Sequence, residues 1–139
     1  IEYEKEKRRI IEGYVTEILE SLKNEIISLK KEKDKYTIII QKQLSDSVKI
    51  LSTTRIMVFH SPDDSDIFTD KFIKKFKSET GCVIEDHKDY PEIFGGVIVE
   101  DLNESGILFD NSLNSRLESI IPALRKEVSN LLEKEEKDE

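Results

Sequence analysis

The stretch GGVIVEDLNESGILFDNSLNSRLES, residues 95–119, decides the fold of the C-terminal half of this chain. Two apolar runs, at residues 94–101 and 106–111, flank a short polar turn, and this pattern predicts a β-hairpin. From Ser112 the apolar residues recur at helical spacing, so a helix should follow, with a kink or break at Pro122.

The glycine pair Gly95–Gly96 raises the question of a phosphate site. Phosphate-binding loops follow a strand and open a helix, whereas these glycines precede a strand, so we expect them to allow a close backbone approach or a bulge. No Walker-type loop, dinucleotide fingerprint or nucleophile-elbow motif is present. His60, His87 and Cys82 do not have the spacing of a zinc site. The sequence therefore indicates no catalytic, cofactor-binding or metal-binding residues.

Helical and strand patterns alternate upstream of the hairpin. Residues 36–51 place apolar side chains at helical intervals, and residues 55–60 are rich in β-formers. A helix from Ser61 to about residue 78 should follow, with Ser61 and the next two aspartates at its positive end. Residues 82–87 then read as another strand. The pattern predicts an α+β domain with a mixed or antiparallel sheet and flanking helices.

The N-terminal residues 1–33 predict one long helix, because they contain strong helix formers, one glycine and no proline. Charges of both signs are dense and balanced here, which suits a helix laced with ion pairs more than a nucleic-acid-binding arm. An apolar stripe predicts a coiled-coil interface with a second chain. An amphipathic helix packed on its own domain is the alternative. The stripe consists of Ile11, Val15, Ile18, Leu22, Ile26 and Leu29.

Composition narrows the possible partners and surroundings. A net charge of -8 disfavours DNA and anionic membranes as partners. No apolar run approaches the roughly 20 residues that span a bilayer, so we expect no direct membrane insertion. Cys82 is the single cysteine, which favours a reducing, cytosolic setting. The single methionine is Met57, so we expect a fragment of a longer chain.

Three segments are predicted along the chain. A stalk helix occupies residues 1–33 and a globular domain residues 34–132. Residues 133–139 are charged and lack apolar anchors, so we expect an acidic disordered tail.

The order GGVIV, polar turn, GILFDNSLNSRLESI and PALRKEV resembles the C-terminal signature of the E subunit of the rotary V-type ATPases, which their archaeal A-type relatives share. Upstream, DKYTIII and RIMVF resemble the entry into the globular domain of that family, so the resemblance covers about residues 34–132. Ser112 in place of threonine, the segment 91–94 and the acidic tail depart from the family pattern. The matching positions are Gly95, Gly96, Val97, Gly106, Asn111, Ser112, Ser115, Arg116, Leu117 and Pro122.

The resemblance implies a non-catalytic peripheral-stalk, or stator, component of a proton-translocating rotary ATPase. Its long helix would pair with the G subunit, and its globular end would grip the catalytic head through the B subunit and hold it against rotor torque. The C and H subunits and the membrane-embedded a subunit would be further partners, on the cytoplasmic side of a vacuolar or other endomembrane. Within the motif, Arg116 with Asn111 should anchor the hairpin to the final helix.

Two other function classes remain open from the residues alone. A self-dimerising coiled-coil adaptor would form a stable homodimer. A small hydrolase that uses an acidic pair with His60 or His87 would show a pH-dependent activity that a single histidine substitution abolishes.

Overall fold

The computed structural model describes residues 1–104 and 106–138, with the side chain of residue 138 left aside. Two compact units divide the chain. The first contains Ile1–Ser28 and the chain from Leu117 onward, and the second contains Leu29–Arg116. The sequence pattern predicts one globular domain over residues 34–132, whereas in the structure the part from Leu117 onward groups with the N-terminal helix.

The described elements alternate helices and strands along the chain. In order they are α1 (Glu2–Lys30), α2 (Lys33–Leu51), β1 (Arg55–His60), a 3₁₀ helix (Pro62–Ile67), α3 (Asp70–Thr80), β2 (Val83–Asp89), β3 (Gly96–Asp101), β4 (Ile107–Ser112), α4 (Leu113–Ser119) and α5 (Ile121–Asp138).

The second unit is built on a four-stranded sheet in the order β2-β1-β3-β4. Strand β1 pairs in parallel with β2 and antiparallel with β3, and β3 pairs antiparallel with β4. Successive side chains point to opposite faces of a strand, so one face supplies the core. Ile56 and Val58 of β1 and Val97 and Val99 of β3 are fully buried there. This mixed sheet with flanking helices confirms the predicted α+β fold.

The core of this unit is completed by helix α2. Tyr36, Ile40 and Leu44 recur at four-residue spacing, lie on one side of the helix and are fully buried. They belong to the same cluster of buried residues as the inner face of the sheet. The sequence prediction of a helix over residues 36–51 is confirmed, although α2 begins three residues earlier, at Lys33.

The predicted single helix from Ser61 to about residue 78 is wrong. The chain forms a 3₁₀ turn, breaks, and restarts as α3, where the Thr69 hydroxyl accepts a hydrogen bond from the Phe72 backbone N–H at 3.1 Å. Ser61 makes no such side-chain cap. The break lets Ile67 and Phe68 both enter the core, and their burial outweighs the local helical pattern.

In the first unit, α1 and α5 run antiparallel to each other. The Tyr3 hydroxyl donates to Glu136 Oε1 at 2.9 Å, and Arg125 Nε donates to Glu12 Oε1 at 2.6 Å. The N-terminal end of α1 therefore contacts the C-terminal end of α5. Within the described residues, no helix carries an apolar segment long enough to traverse a bilayer.

The acidic tail differs from its predicted disorder. Residues 133–138 continue α5, because glutamate and lysine are strong helix formers and α1 supplies partners for their charges. Lys7 Nζ lies 3.3 Å from Glu133 Oε1. Glu139 lies outside the described residues.

Two helix boundaries differ in how closely they match the positions predicted from the sequence. Helix α1 ends at Lys30, before the predicted limit at residue 33. The predicted break near Pro122 is confirmed, since α4 ends at Ser119 and Pro122 stands in the first turn of α5, where its missing N–H has no helical partner to lose.

Candidate interaction site

The two adjacent glycines of the opening stretch bring the start of β3 against the start of α4. Gly96 has a φ of +78°, and a Cβ there would lie 2.6 Å from Leu113 N and 2.9 Å from Ser112 Cα. A Cβ on Gly95 would lie 2.8 Å from Leu113 Cδ1. Gly96 thus meets backbone atoms, while Gly95 meets the end of a side chain. Gly96 therefore permits a close approach to the backbone at the start of α4, and Gly95 permits a close approach to a side chain there.

A buried polar network starts at the same glycine. The Gly96 N–H donates to Tyr36 Oη at 3.0 Å, and Tyr36 Oη donates to Asp64 Oδ2 at 2.7 Å. Lys30 Nζ lies 3.3 Å from Asp64 Oδ1 and also donates to the backbone oxygen of Phe94. Asp64 is only 3% exposed, so its carboxylate depends on these donors instead of water.

Burial and the neighbouring hydrogen-bond donors shift the pKa values of the aspartates in opposite directions. Burial raises the pKa of Asp64, although the hydrogen bond from Tyr36 and the charge of Lys30 oppose the shift. Burial and the hydrogen bond to Asp64 also raise the pKa of Tyr36. At Asp63, burial would raise the pKa, but hydrogen bonds from Ser61 and Lys30 outweigh it and the pKa is lowered. The lysine therefore sits between two aspartates and neutralises a carboxylate that water does not reach.

Sequence reasoning assigns these aspartates to helix capping and misses the network. Lys30 Nζ donates to Asp63 Oδ2 at 3.0 Å, and Lys33 Nζ donates to Asp66. The two lysines share a three-residue spacing with the two aspartates, so that each lysine meets one aspartate of the other segment. That matched spacing is a signal for the contact, although nothing local indicates that the two segments meet.

A second junction is formed by the amide of Asn111. Arg116 Nε donates to Asn111 Oδ1 at 2.9 Å. Asn111 Nδ2 donates to the backbone oxygen of Gln43 at 3.1 Å and lies 3.3 Å from Ser47 Oγ, both on α2. Asn111 thus joins β4 to α2 and α4. The contact with Arg116 involves the short helix α4 and not the long final helix α5.

The remaining motif residues lie between the hairpin turn and the first turn of α5. Ser112 Oγ accepts a hydrogen bond from the Ser115 N–H at 3.1 Å and caps α4. Gly106 lies between β3 and β4, Leu117 is partly buried in α4, and Pro122 is exposed in α5. A hydroxyl is what position 112 needs, so serine serves there as threonine would.

The two histidines that a hydrolase would need do meet, and His60 is buried while His87 is half-buried. His60 is 0% exposed, its Nε2 lies 2.9 Å from His87 Nδ1, and its Nδ1 lies 2.9 Å from the Ser61 backbone oxygen. The Phe68 ring stacks on both imidazoles. Cys82 is also buried, and burial raises the pKa of its thiol to about 11. These arrangements support packing roles.

The predicted coiled-coil stripe of α1 does not have one uniform environment. Val15 is 2% exposed, whereas Ile18 is 36% exposed. Leu19, which the stripe omitted, is partly buried and continues the side of Val15 at helical spacing. The other four members, Ile11, Leu22, Ile26 and Leu29, are partly buried.

Ile18 instead borders an open groove of the first unit. The groove has a volume of about 250 Å³ and is lined by Tyr14 and Ile18 of α1 and by Val128 and Leu131 of α5, with Leu132 and Glu135 at its end. Its lining is mostly apolar, and it carries no cluster of nucleophile and base. An apolar surface of this kind is suited to packing.

Residues 5–132 match the family model of the ATP synthase (E/31 kDa) subunit. The chain belongs to this family. No individual curated protein matches it. The family is the E subunit of the V-type ATPases, so the resemblance carried by the glycine pair and the residues after it is confirmed.

Membership in the V-type ATPase E-subunit family defines the general role of the chain. The family is a stalk component, non-catalytic within an ATPase complex, whose partners are other V-type ATPase subunits. It associates with the membrane peripherally. The buried lysine network and the open groove are therefore features of a protein that works through contacts.

Proposed function

We propose that this chain is a stator component that pairs with the G subunit through α1 and holds the catalytic head, through the B subunit, against rotor torque. ATP hydrolysis then turns the rotor instead of the head, and protons are pumped. Contacts with the C and H subunits and with the membrane-embedded a subunit, on the cytoplasmic side of a vacuolar or other endomembrane, belong to the same proposal.

The observation that carries the proposal is how the C-terminal end of α1 is fastened. Lys30 is the last residue of that helix, and its side chain is only 8% exposed. Its ammonium reaches Asp63, Asp64 and the backbone oxygen of Phe94. Hydrogen bonds to charged groups are roughly twice as strong as neutral ones, and three acceptors share any force on the helix end.

The rod itself suits a load-bearing role. Helix α1 has 29 residues, which at about 1.5 Å per residue gives a length of roughly 43 Å. Its backbone hydrogen bonds lie along the axis, so a force along the helix acts on many bonds in series. A reactive group is not needed for this task.

Pairing can be tested with the full chain and the G subunit in light scattering. We expect a one-to-one complex, and no ATPase activity from this chain alone. A stable homodimer that ignores the G subunit would favour the self-dimerising adaptor instead. A monomer indifferent to the G subunit would contradict the pairing.

The torque-bearing role can be tested in the assembled ATPase with Lys30→Met. This change removes the ammonium and leaves the buried Asp64 carboxylate without its cation, so the fastening should weaken. We expect ATP hydrolysis to continue while the number of protons pumped per ATP falls. Lys31→Met is the matched control, because Lys31 is exposed. Equal coupling in both variants would contradict the role of this anchor.

A further inference from the structure

The two histidines of the second unit form a hydrogen-bonded pair in which the position of each hydrogen is determined. His60, at the end of β1, is fully buried, and its Nδ1 lies 2.9 Å from the Ser61 backbone oxygen. A carbonyl oxygen only accepts, so this nitrogen carries a hydrogen, and Nε2 of the neutral ring presents a lone pair. His87 Nδ1 lies 2.9 Å from that Nε2 and is therefore the donor.

This pair accommodates one added proton but not a second. The first proton goes to Nε2 of His87, which is half-buried, and it leaves the contact intact as a charge-assisted hydrogen bond. The second can only go to His60 Nε2, where N–H would then face N–H across 2.9 Å. It would also place a positive charge on a fully buried ring. The contact between the two rings therefore has to open when the second proton binds.

The elements around the pair favour one positive charge there. On β2, Asp89 Oδ1 lies 3.6 Å from His60 Nδ1, and the Asp86 carboxylate accepts the backbone N–H of the next residue at 2.8 Å. On the 3₁₀ helix, Asp63 accepts a hydrogen bond from the serine that follows His60. Strand β3 opposes His60 with the apolar Val97. The side chain of Asp89 is 57% exposed, so water screens its attraction and it does not compensate a second buried charge.

Phe68 connects the pair to the segment that follows β1. Its ring stacks on both imidazoles, with centroid separations of 4.8 Å to His60 and 5.1 Å to His87. It also meets the ring of Phe72 on α3 edge-on at 5.5 Å. Phe68 directly follows the 3₁₀ helix and is buried. When the imidazoles separate, Phe68 loses a stacked partner, and the 3₁₀ helix loses part of its attachment to the sheet.

We propose that His60 and His87 form a histidine latch, which holds residues 61–68 against the sheet with no added proton or one and releases them when a second proton binds. Histidine ordinarily changes its charge between about pH 5 and 8, so mild acidification is the trigger. The inference is independent of the proposed function, because it concerns contacts within the second unit alone.

Opening of the latch acts on the fastening of α1. The 3₁₀ helix that the latch holds carries Asp63 and Asp64, and both carboxylates lie within 3.3 Å of Lys30 Nζ. Release of the 3₁₀ helix separates these carboxylates from the lysine. The end of α1 is thus firmly held near neutral pH and loosened by acid.

The pH dependence follows from the number of protons that each state binds. The open or unfolded chain can protonate both histidines, whereas the closed latch holds one added proton, so opening takes up one more and is favoured as the pH falls. One proton corresponds to a tenfold change in the opening constant for each pH unit below the ordinary histidine pKa of about 6.5. His60 and His87 are the only histidines of the chain. Asp64 acts in the opposite direction, because burial raises its pKa and the folded state then takes up its proton first.

The test combines two measurements on the full chain between about pH 7.5 and 5. NMR of the imidazole nitrogens reports the tautomer and the charge of each ring. Hydrogen exchange, corrected for its intrinsic pH dependence, reports opening of residues 61–68. We expect two Nδ1–H tautomers at the upper pH, and a first proton on His87 that leaves the segment protected. Exchange should then rise about tenfold per pH unit as His60 becomes protonated, while the hairpin of β3 and β4 stays protected.

Two variants separate the latch from a general effect of acid. His60→Gln keeps an amide oxygen as an acceptor for His87 and does not titrate, so exchange of residues 61–68 should become independent of pH. Asp89→Asn is the matched control, because it removes a nearby charge and keeps both imidazoles, and it should retain the tenfold dependence.

Three results would overturn the proposal. The first is a protonated His60 in the wild type while residues 61–68 remain protected. The second is an exchange rate that rises equally in the hairpin, which would mean global unfolding. The third is the same pH dependence in His60→Gln as in the wild type. If His60→Gln does not fold, the order of protonation and opening in the wild type still decides.

Discussion

Replacing Gly96 by alanine tests whether the close backbone approach at the start of β3 is required for the fold. Two destabilising effects add at this position, a conformational cost and steric crowding. A non-glycine residue at a φ of +78° costs about 1–2 kcal/mol. The new Cβ would also stand 2.6 Å from Leu113 N and 2.9 Å from Ser112 Cα, and overpacking of this kind costs about 1–3 kcal/mol. We expect the free energy of unfolding to fall by about 3 kcal/mol in total.

The variant Gly81→Ala separates the conformational cost from the steric crowding. Gly81 has a φ of +76°, nearly that of Gly96, but a Cβ there meets nothing within 4 Å. It should therefore show only the conformational cost, partly offset by the reduced entropy of the unfolded chain. The difference between the two variants isolates the crowding, and we expect about 2 kcal/mol.

The measurement is urea unfolding of the full chain followed by circular dichroism. Gly95→Ala adds an intermediate case, because its Cβ would meet only side-chain atoms: Leu113 Cδ1, the movable end of a side chain, at 2.8 Å and Tyr36 Oη at 3.1 Å. The expected order of destabilisation is Gly96, then Gly95, then Gly81. If Gly96→Ala and Gly81→Ala lose the same stability, the contact with α4 does not explain the glycine pair.

Three further predictions concern the hydrogen bonds of the second unit. Tyr36→Phe should lower the free energy of unfolding by about 1–3 kcal/mol in urea unfolding, because a buried carboxylate loses its donor and a backbone N–H its acceptor. An unchanged value would exclude the network as a stabilising element. The hydrogen bond from Thr53 lowers the pKa of Asp101, so the stabilisation is present above the ordinary aspartate pKa of about 3.9 and is lost as the pH falls through the lowered value. Asp101→Asn should therefore flatten the loss of stability that urea unfolding detects in the wild type below about pH 4, and an equally steep loss would refute this assignment. Arg116→Ala should lower the melting temperature, because Asn111 loses a donor to its side-chain oxygen, and an unaltered melting temperature would count against that junction.

Local patterns were sufficient for most strands and helices, although not for the break between the 3₁₀ helix and α3. Strand β1 has the bounds that its run of β-formers predicted, Arg55–His60, and the hairpin of β3 and β4 follows the polar turn. The order of the strands within the sheet could not be predicted from local patterns. Pairing of β1 with β2 is parallel and passes through a crossover, and neither strand carries a local feature that specifies its neighbour.

Some of the candidate sites could likewise be predicted from local sequence, and others depend on the tertiary fold. The glycine pair could be interpreted from sequence because a conformational requirement is local. The Lys30–Asp63 contact joins residues 33 positions apart, so its existence depends on the tertiary fold. The side of α1 that packs inside the chain depends on α5. Ile18 and Leu19 are adjacent and both apolar, and only the position of the neighbouring helix decides which of them is shielded.

The buried lysine network has a consequence for how a stalk protein is built. Removing Lys30 and Asp64 from water costs much of what their attraction returns, so this pair contributes little net stability. Its contacts are directional, however, and an apolar substitute would permit the helix end to slide or rotate among packings of similar energy. A lysine held by two carboxylates and a backbone oxygen has one arrangement that satisfies all of its donors. In the load-bearing role proposed above, a single position of the helix end matters more than a few extra kilocalories of stability, and that role would account for buried charge at this point of the fold.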